Sequence, residues 1–268
     1  MTMTISLIIS TYNWPEALSR CLDSVMSQTV QPTEIIIADD GSTIETKHVI
    51  DNYSRRSVVP IVHVWHEDDG FRLSMIRNKA IVRAKGEYII QIDGDVVLEK
   101  HFIQDHIEIS ERGCFVCGSR VRLDEKISHK IIEGEMSQPN LFNMPLSYAT
   151  NSLRCKLLRR YMATRYGQKK IDHLRGCNMA FWRENLIAVN GYNEDLTQWG
   201  HEDGEIAFRL HHSGVKKKFI KFGAVLYHLY HKEASRSNEQ LHLDRLQTVK
   251  EQRLTWCDNG LNKYINAN

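Results

Sequence analysis

The sequence predicts an α/β fold built on a largely parallel sheet, and three observations carry that reading. Over the first hundred residues, short apolar runs alternate strictly with amphipathic helical segments. The runs are apolar at nearly every position, as strands covered on both faces are. The chain has 268 residues, 42% of them hydrophobic and 25% charged, a globular composition that leaves room for one or two domains and excludes disorder or a collagen-like repeat.

Taken in order, ISLIIS (5–10) is the first strand. Pro15 then opens a helix with Leu18, Leu22, Val25 and Met26 on one face. EIIIADD (34–40) is the second strand, ended by the turn-forming pair Gly41-Ser42. Residues 46–53 read as helix, IVHVW (61–65) as strand, 73–84 as a helix capped by Gly86, and EYIIQID (87–93) as a fourth strand. After Cys117 the pattern loosens, and residues 119–150 show no clear period. From 151 to 166, Leu153, Leu157, Leu158, Tyr161 and Met162 recur at helical spacing. Arg154, Lys156, Arg159, Arg160 and Arg165 fill much of the rest, with no acid between them. Such a basic amphipathic helix is either a solvated face or a surface for anionic lipid or an anionic acceptor. The expected arrangement partly covers its apolar side with protein and turns its Arg/Lys side to an anionic partner.

Other features bound the function. Lys+Arg number 35 against 33 Asp+Glu, a net charge of +2, so no global field marks a nucleic-acid binder. The short apolar run at the N-terminus has no Lys or Arg ahead of it and no small-residue cleavage site after it, so no secretory signal is expected. No apolar stretch approaches the ~18 residues that span a bilayer, so any membrane contact is peripheral. Six cysteines fit a cytoplasmic location. The only CxxC, Cys114 to Cys117, would point its thiols to opposite faces of a strand, which argues against a shared zinc.

Three acidic features place chemistry on this scaffold. Asp39-Asp40-Gly41-Ser42 directly follows an apolar strand, where ligands of parallel sheets sit and where a carboxylate can accept from a nucleobase N–H or a ribose hydroxyl. Asp93-Gly94-Asp95 follows another. Two aspartates one residue apart, with a glycine allowing close backbone approach, can hold a hard divalent cation and leave positions for phosphate oxygens. Trp199-Gly200-His201-Glu202-Asp203 precedes the amphipathic segment 206–210. Acids at a helix start are stabilised by the helix dipole, but the Trp and Gly are not needed for capping. A Trp face can stack on a sugar ring, and one carboxylate can act as general base.

Together STYN (10–13), ADDGS (38–42), the stretch from Asp68 to Asp95 and WGHED (199–203) resemble the family-2 inverting glycosyltransferases of GT-A fold. The resemblance covers most of 4–110 and 174–231, and is greatest to the chondroitin-polymerase-type and galactosyltransferase-like branch. It implies a Rossmann-like, mostly parallel central sheet with a helical insertion and a C-terminal extension. One GT-A domain then divides into a nucleotide-binding half (1–118), a variable insertion with the basic helix (119–173), an acceptor and catalytic half (174–231) and a helical tail (232–268).

Carried over residue by residue, the resemblance implies that Ser10, Thr11 and Tyr12 line a nucleobase pocket and that Asp40 accepts the uracil N–H. Arg77 approaches the nucleotide, Asp93 and Gly94 the ribose side, and Asp95 ligates Mn2+ or Mg2+. A late histidine completes the metal site; in VLYHLYH (225–231) His228 matches better and His231 is the reserve. Trp199 and Glu202 contact sugar or acceptor, and Asp203 is the base. The implied substrates are a UDP-sugar and a glycan or lipid-linked saccharide, as in bacterial surface polysaccharide synthesis, with the donor leaning towards galactose or GalNAc.

Rival classes lose ground on particular residues. A nucleotidyltransferase or a dehydrogenase needs a glycine-rich loop after the first strand, and here that position reads Ser-Thr-Tyr-Asn-Trp-Pro. A processive membrane synthase carries spanning helices and a Gln-x-x-Arg-Trp gate, which Gln252-Arg253-Leu254-Thr255-Trp256 does not reproduce. A non-catalytic binder that lost the chemistry would be expected to have replaced Asp95 or Asp203, and both are acidic.

Overall fold

The computed structural model describes residues 3–139, 151–167, 170–198, 200–232 and 239–265. Strand β1 (Ile5–Thr11) sits near the middle of a seven-stranded sheet. Beside it lie β2 (Glu34–Asp39), the edge strand β3 (Ile61–Trp65) and β4 (Tyr88–Asp93), all parallel to it. The sheet continues through β8 (Met179–Trp182), antiparallel to both its neighbours, then β6 (Cys114–Gly118) and β9 (Lys216–Ile220), giving the order β3-β2-β1-β4-β8-β6-β9. A second sheet of three short strands, β5 (Val96–Leu98), β10 (Leu226–His228) and β7 (Val121–Arg122), has β10 in its middle.

Side chains alternate across the central sheet as the two-residue period demands. Leu7, Ile9, Ile35, Ile37, Ile90 and Ile92 face a core with helices α1 (Pro15–Met26) and α4 (Phe102–Ile109). Ile8, Ile36, Ile89, Phe115, Met179 and Phe181 face the opposite core, closed by α3 (Leu73–Arg83) and α8 (Glu202–His212). Both cores are completely buried over most of these residues, each worth about 1.5–3 kcal/mol of apolar transfer. Cys117 joins the second core while its neighbour Val116 joins the first, and all six cysteines are free thiols. Helix α2 (Ile44–Arg56) covers the sheet's β3 end, α7 (Arg183–Ala188) follows β8, and α9 (Glu239–Glu251) and α10 (Asn262–Ile265) pack on α8 and α3.

Several details depart from the sequence reading. Gly86 is no helix cap: α3 ends at Arg83, and Gly86 donates its N–H to Ser6 Oγ at 2.8 Å, with no space for a Cβ, which would lie 2.5 Å from the Ser6 nitrogen. The aperiodic 119–150 stretch contains α5 (Glu125–Ile132), started by Asp124, whose Oδ1 accepts from Ile127 N at 2.8 Å. Residues 140–150 of that stretch lie outside the described residues. The basic helix is shorter than expected, α6 spanning Lys156–Ala163, and one of its basic residues turns inward while an apolar one turns fully outward. Arg159 is completely buried, whereas Leu157 is 81% exposed and Leu158 and Tyr161 about half. The cause lies on α4: Asp105 and Glu108 take up the Arg159 guanidinium at 2.6 Å each. Among the described residues no helix is long and apolar enough to cross a membrane.

Candidate active site

The parallel register gathers the first three sequence motifs at one end of the sheet. Ser10 stands opposite Ala38 on β2 and Asp93 on β4, so the residues following those strands emerge side by side at their carboxyl ends.

The Asp39-Asp40 pair is fully provided with donors. Asp39 Oδ1 accepts from Ser42 N at 2.8 Å and its Oδ2 lies 2.8 Å from His63 Nε2. Asp40 Oδ1 lies 2.7 Å from His66 Nε2, and its Oδ2 accepts from Arg72 N at 2.9 Å. Lys79 Nζ donates to His66 Nδ1 at 3.1 Å, which leaves Nε2–H as the donor towards Asp40. Gly41 turns the chain with φ +95°, and a Cβ there would sit 2.6 Å from Asp68 Cα. Tyr12 is half exposed at the rim and donates to Asp68 Oδ2 at 2.9 Å.

The Asp93-Gly94-Asp95 turn is different. Asp95 Oδ1 is buried and has no hydrogen-bond partner, while Oδ2 lies 3.6 Å from His228 Nε2 and 3.3 Å from His231 Nε2. Pairing of β10 with β5, His228 opposite Val96, brings the first histidine there. The backbone N–H of Leu229 on the Asp95 carbonyl, at 2.9 Å, holds the following turn. Each imidazole faces a carbonyl with Nδ1: His228 the Leu229 oxygen at 2.9 Å, His231 the Lys232 oxygen at 2.8 Å. A carbonyl only accepts, so Nδ1 carries a proton in each ring and both Nε2 atoms are turned to Asp95. A buried carboxylate oxygen without a donor, beside two imidazole Nε2 atoms, is a donor set of the kind divalent cations take, and the residues present fit one. Cys177, which the sequence reading passed over, also lies here. Its Sγ, an Asp93 oxygen and a His228 nitrogen are within 4.8 Å of one another, and burial holds that thiol well above its ordinary range.

Behind these residues sits Arg77, 1% exposed. Its NH2 donates to Asp93 Oδ1 at 3.2 Å, its NH1 to Asp203 Oδ1 at 3.1 Å, and its Nε to Ser10 Oγ at 3.3 Å. Glu202 Oε1 lies 3.7 Å from NH1. The sequence reading sends Arg77 to the nucleotide; in the structure its guanidinium lies among the carboxylates of Asp93, Glu202 and Asp203. Three carboxylates share one cation, and their ionisation shows it. Burial raises the Glu202 pKa to about 7, helped by the neighbouring Asp203 charge. Burial also raises Asp93 and Asp203, with Arg77 pulling both back.

Asp203 is positioned from three sides. Tyr192 Oη lies 3.4 Å from Oδ1 and donates to Gln91 Oε1 at 2.8 Å. Oδ2 lies over Gly176, where any Cβ would be 1.9 Å away. The loop ahead of the acids runs through left-handed backbone at Gln198, Gly200 and His201. His242 of α9, completely buried, points one ring nitrogen at the Gly200 carbonyl and the other at the Thr197 carbonyl, at 2.9 Å. The sequence motifs give no role to Tyr192, Gln91, Gly176 or His242: Gln91 sits on β4 two residues before Asp93 without an acidic or glycine signature, and the other three lie outside the motifs. Trp199 lies outside the described residues.

Comparison with known proteins decides the family. The model of Glycosyl transferase family 2 matches residues 6–188, and that of the N-terminal domain of galactosyltransferase matches 159–232. The chain belongs to the family-2 glycosyltransferases. Among relatives of this transferase, chondroitin synthase of Escherichia coli is 27% identical over 240 residues, 84% of this chain and 34% of the relative. Validoxylamine A glucosyltransferase of Streptomyces hygroscopicus subsp. limoneus is 27% identical over 261 residues, 90% of this chain and 55% of the relative. The chain thus spans between about a third and about half of those proteins.

Solved structures share the fold. S. aureus TarS 1–349 in complex with UDP superposes with a TM-score of 0.63 at 16% identity, covering 92% of this chain and 65% of that one. The mannosyltransferase PcManGT from Pyrobaculum calidifontis, in complex with GDP-Man and Mn2+, gives 0.65 at 15% identity, covering 94% and 65%. This family-2 transferase therefore has the GT-A architecture expected from its sequence, a mostly parallel central sheet flanked by helices.

Proposed function

We propose that this glycosyltransferase moves a hexose or N-acetylhexosamine from a UDP-sugar to a hydroxyl of a glycan or lipid-linked acceptor, inverting the anomeric centre, with Mn2+ or Mg2+ at Asp95, His228 and His231. The observation that carries the reading is the donor set at Asp95, a buried oxygen with no partner facing two imidazole Nε2 atoms. The sequence reading ranks His231 behind His228. The geometry supports both as ligands, because both present Nε2 to the same carboxylate.

The chain's residues divide the work as follows. Asp40, held by His66 and the Arg72 N–H, keeps further lone pairs for a base N–H, with Ser10, Thr11 and Tyr12 beside it. Asp93 and Gly94 form the turn under the ribose and diphosphate, where Gly94 N donates to Ser10 O at 2.7 Å. A divalent ion, when bound, stabilises charge developing on the leaving diphosphate. Asp203 takes the proton from the attacking hydroxyl. It is more exposed than Glu202 (18% against 8%) and closer to Arg77 (3.1 Å against 3.7 Å), so of the coupled pair it holds the negative charge while Glu202 holds the proton near neutral pH. Inversion needs only this one base, with Glu202 and Trp199 left for sugar contacts.

Support for the substrate class comes from TarS, solved with UDP and with UDP-GlcNAc, and from the chondroitin synthase relatives. The six free thiols accord with cytoplasmic work. The test is release of UDP from a panel of UDP-sugars with Mn2+ or with chelator. UDP release with at least one UDP-hexose or UDP-N-acetylhexosamine, abolished by chelator, is the expected result; turnover only of GDP- or dTDP-sugars, or turnover indifferent to chelator, overturns the reading.

A further inference from the structure

Helix α6 turns apolar side chains to solvent and one arginine into the protein. Its most exposed residue is Leu157, at 81%, and Leu158 and Tyr161 follow on the same face, with Leu153 exposed just ahead of the helix. Its completely buried polar residue is Arg159, whose NH1 donates to Asp105 Oδ1 and NH2 to Glu108 Oε2, at 2.6 Å each. Arg154 adds contacts to both Asp105 oxygens at 2.8–3.1 Å, and Asp105 Oδ2 also accepts from Ala224 N at 2.9 Å. Cys155 N donates to Phe222 O at 3.0 Å. Breaking a buried pair of this kind is costly, so the helix is clamped in this orientation and its leucines are not free to roll inward.

The apolar face has a cationic border. Lys156 and Arg160, one turn apart, run beside it, and Arg165 stacks its guanidinium 4.7 Å from the centre of the Tyr161 ring. Asp105 and Glu108 are taken up by Arg154, Arg159 and Lys156, and residues 151–166 contain no acid. An exposed Leu/Tyr face bordered by Arg and Lys matches a negatively charged lipid surface, where apolar side chains enter the headgroup boundary and long basic side chains reach the phosphates. A protein groove would satisfy the leucines but gives no reason for the cationic border.

We propose that this face of α6 docks the transferase on an anionic bilayer, with Leu157, Leu158 and Tyr161 inserted and Arg160 and Arg165 at the headgroups. The contact is the reverse of a basic side facing the membrane over a covered apolar side, because the basic residue at the helix centre is the one committed to the protein interior. The proposal does not rest on the transferase chemistry, and its failure leaves that chemistry untouched.

The test is co-sedimentation of the full chain with phosphatidylcholine vesicles, with and without phosphatidylglycerol, at low and high salt, alongside sedimentation velocity without lipid. The wild-type chain should sediment with the anionic vesicles only, and less at high salt. Leu157→Glu, at a site 81% exposed, should fold normally and lose at least tenfold in partitioning. Arg160→Ala should lose about fivefold and part of the salt dependence. No binding to anionic vesicles at low salt, or equal binding by Leu157→Glu, overturns the proposal. So does a lipid-free dimer that Leu157→Glu dissociates, since the face would then belong to a second copy.

Discussion

The two acidic strand ends of this fold look alike in sequence and are opposite in their hydrogen bonding. After β2, all four oxygens of Asp39 and Asp40 have partners, two of them backbone N–H groups and two of them histidine nitrogens. After β4, Asp95 keeps a buried oxygen with none, two histidine Nε2 atoms face its other oxygen, and Asp93 shares one guanidinium with Glu202 and Asp203. A carboxylate given donors shapes a loop and stabilises the fold. A buried carboxylate oxygen left without them costs free energy that the rest of the structure carries, and under the proposed function that oxygen meets a cation. The comparison predicts that damage at the first site appears mainly as lost stability or nucleotide affinity, and damage at the second as lost chemistry.

The largest expected effect is at Asp203. Asp203→Asn keeps the shape and removes the proton acceptor, so turnover should fall by ~10²–10⁴ while UDP binding with Mn2+ stays near wild type in calorimetry. Near-normal turnover would move the base to Glu202. Next comes Gly176→Ala, whose methyl group would displace the Asp203 carboxylate it would otherwise meet at 1.9 Å; kcat should fall by about 10²-fold with little change in nucleotide affinity.

Glu202→Gln probes the shared proton. Because the folded state raises the Glu202 pKa from 4.5 to about 7, its proton is bound more tightly in the folded chain, and the stability this contributes is complete at low pH and lost as pH rises through about 7. Glutamine keeps the uncharged form at every pH. Thermal unfolding should therefore show Glu202→Gln above wild type by about 2–4 °C at pH 8, the shift that roughly 1 kcal/mol gives a domain of this size, and the gap should close by pH 5. An unchanged gap at the two pH values would separate Glu202 from the carboxylate group. The smallest effect on chemistry belongs to Asp39→Ala, which should cost about 1–3 kcal/mol in denaturant unfolding and leave Mn2+ affinity as it was.

What could be read from the sequence follows the range of the interactions. The strands and the acids after them were legible because apolar runs, Asp-Asp-Gly and Asp-Gly-Asp are local signals that a parallel sheet places together. The three-residue strand β5 was not, since Val96–Leu98 has no room for a period. His231 read as a reserve because spacing cannot show which ring nitrogen faces a carbonyl. The pairing of Arg77 with Asp93 and Asp203 was not legible because those carboxylates arrive from 16 and 126 residues away. The burial of Arg159 was not legible for the same reason: periodicity separates an apolar side from a basic one, but the acids that draw Arg159 inward, Asp105 and Glu108, lie on another helix.

The central claim is that Asp95, with His228 and His231, gives the site its cation. Calorimetric titration of UDP into the wild-type chain and into Asp95→Ala, each with Mn2+ and with chelator, tests it most directly. The account predicts tight binding by the wild type only when Mn2+ is present, and the same weak binding by Asp95→Ala with or without it. UDP binding by Asp95→Ala that equals the wild type in Mn2+, with both chains folded, would contradict it.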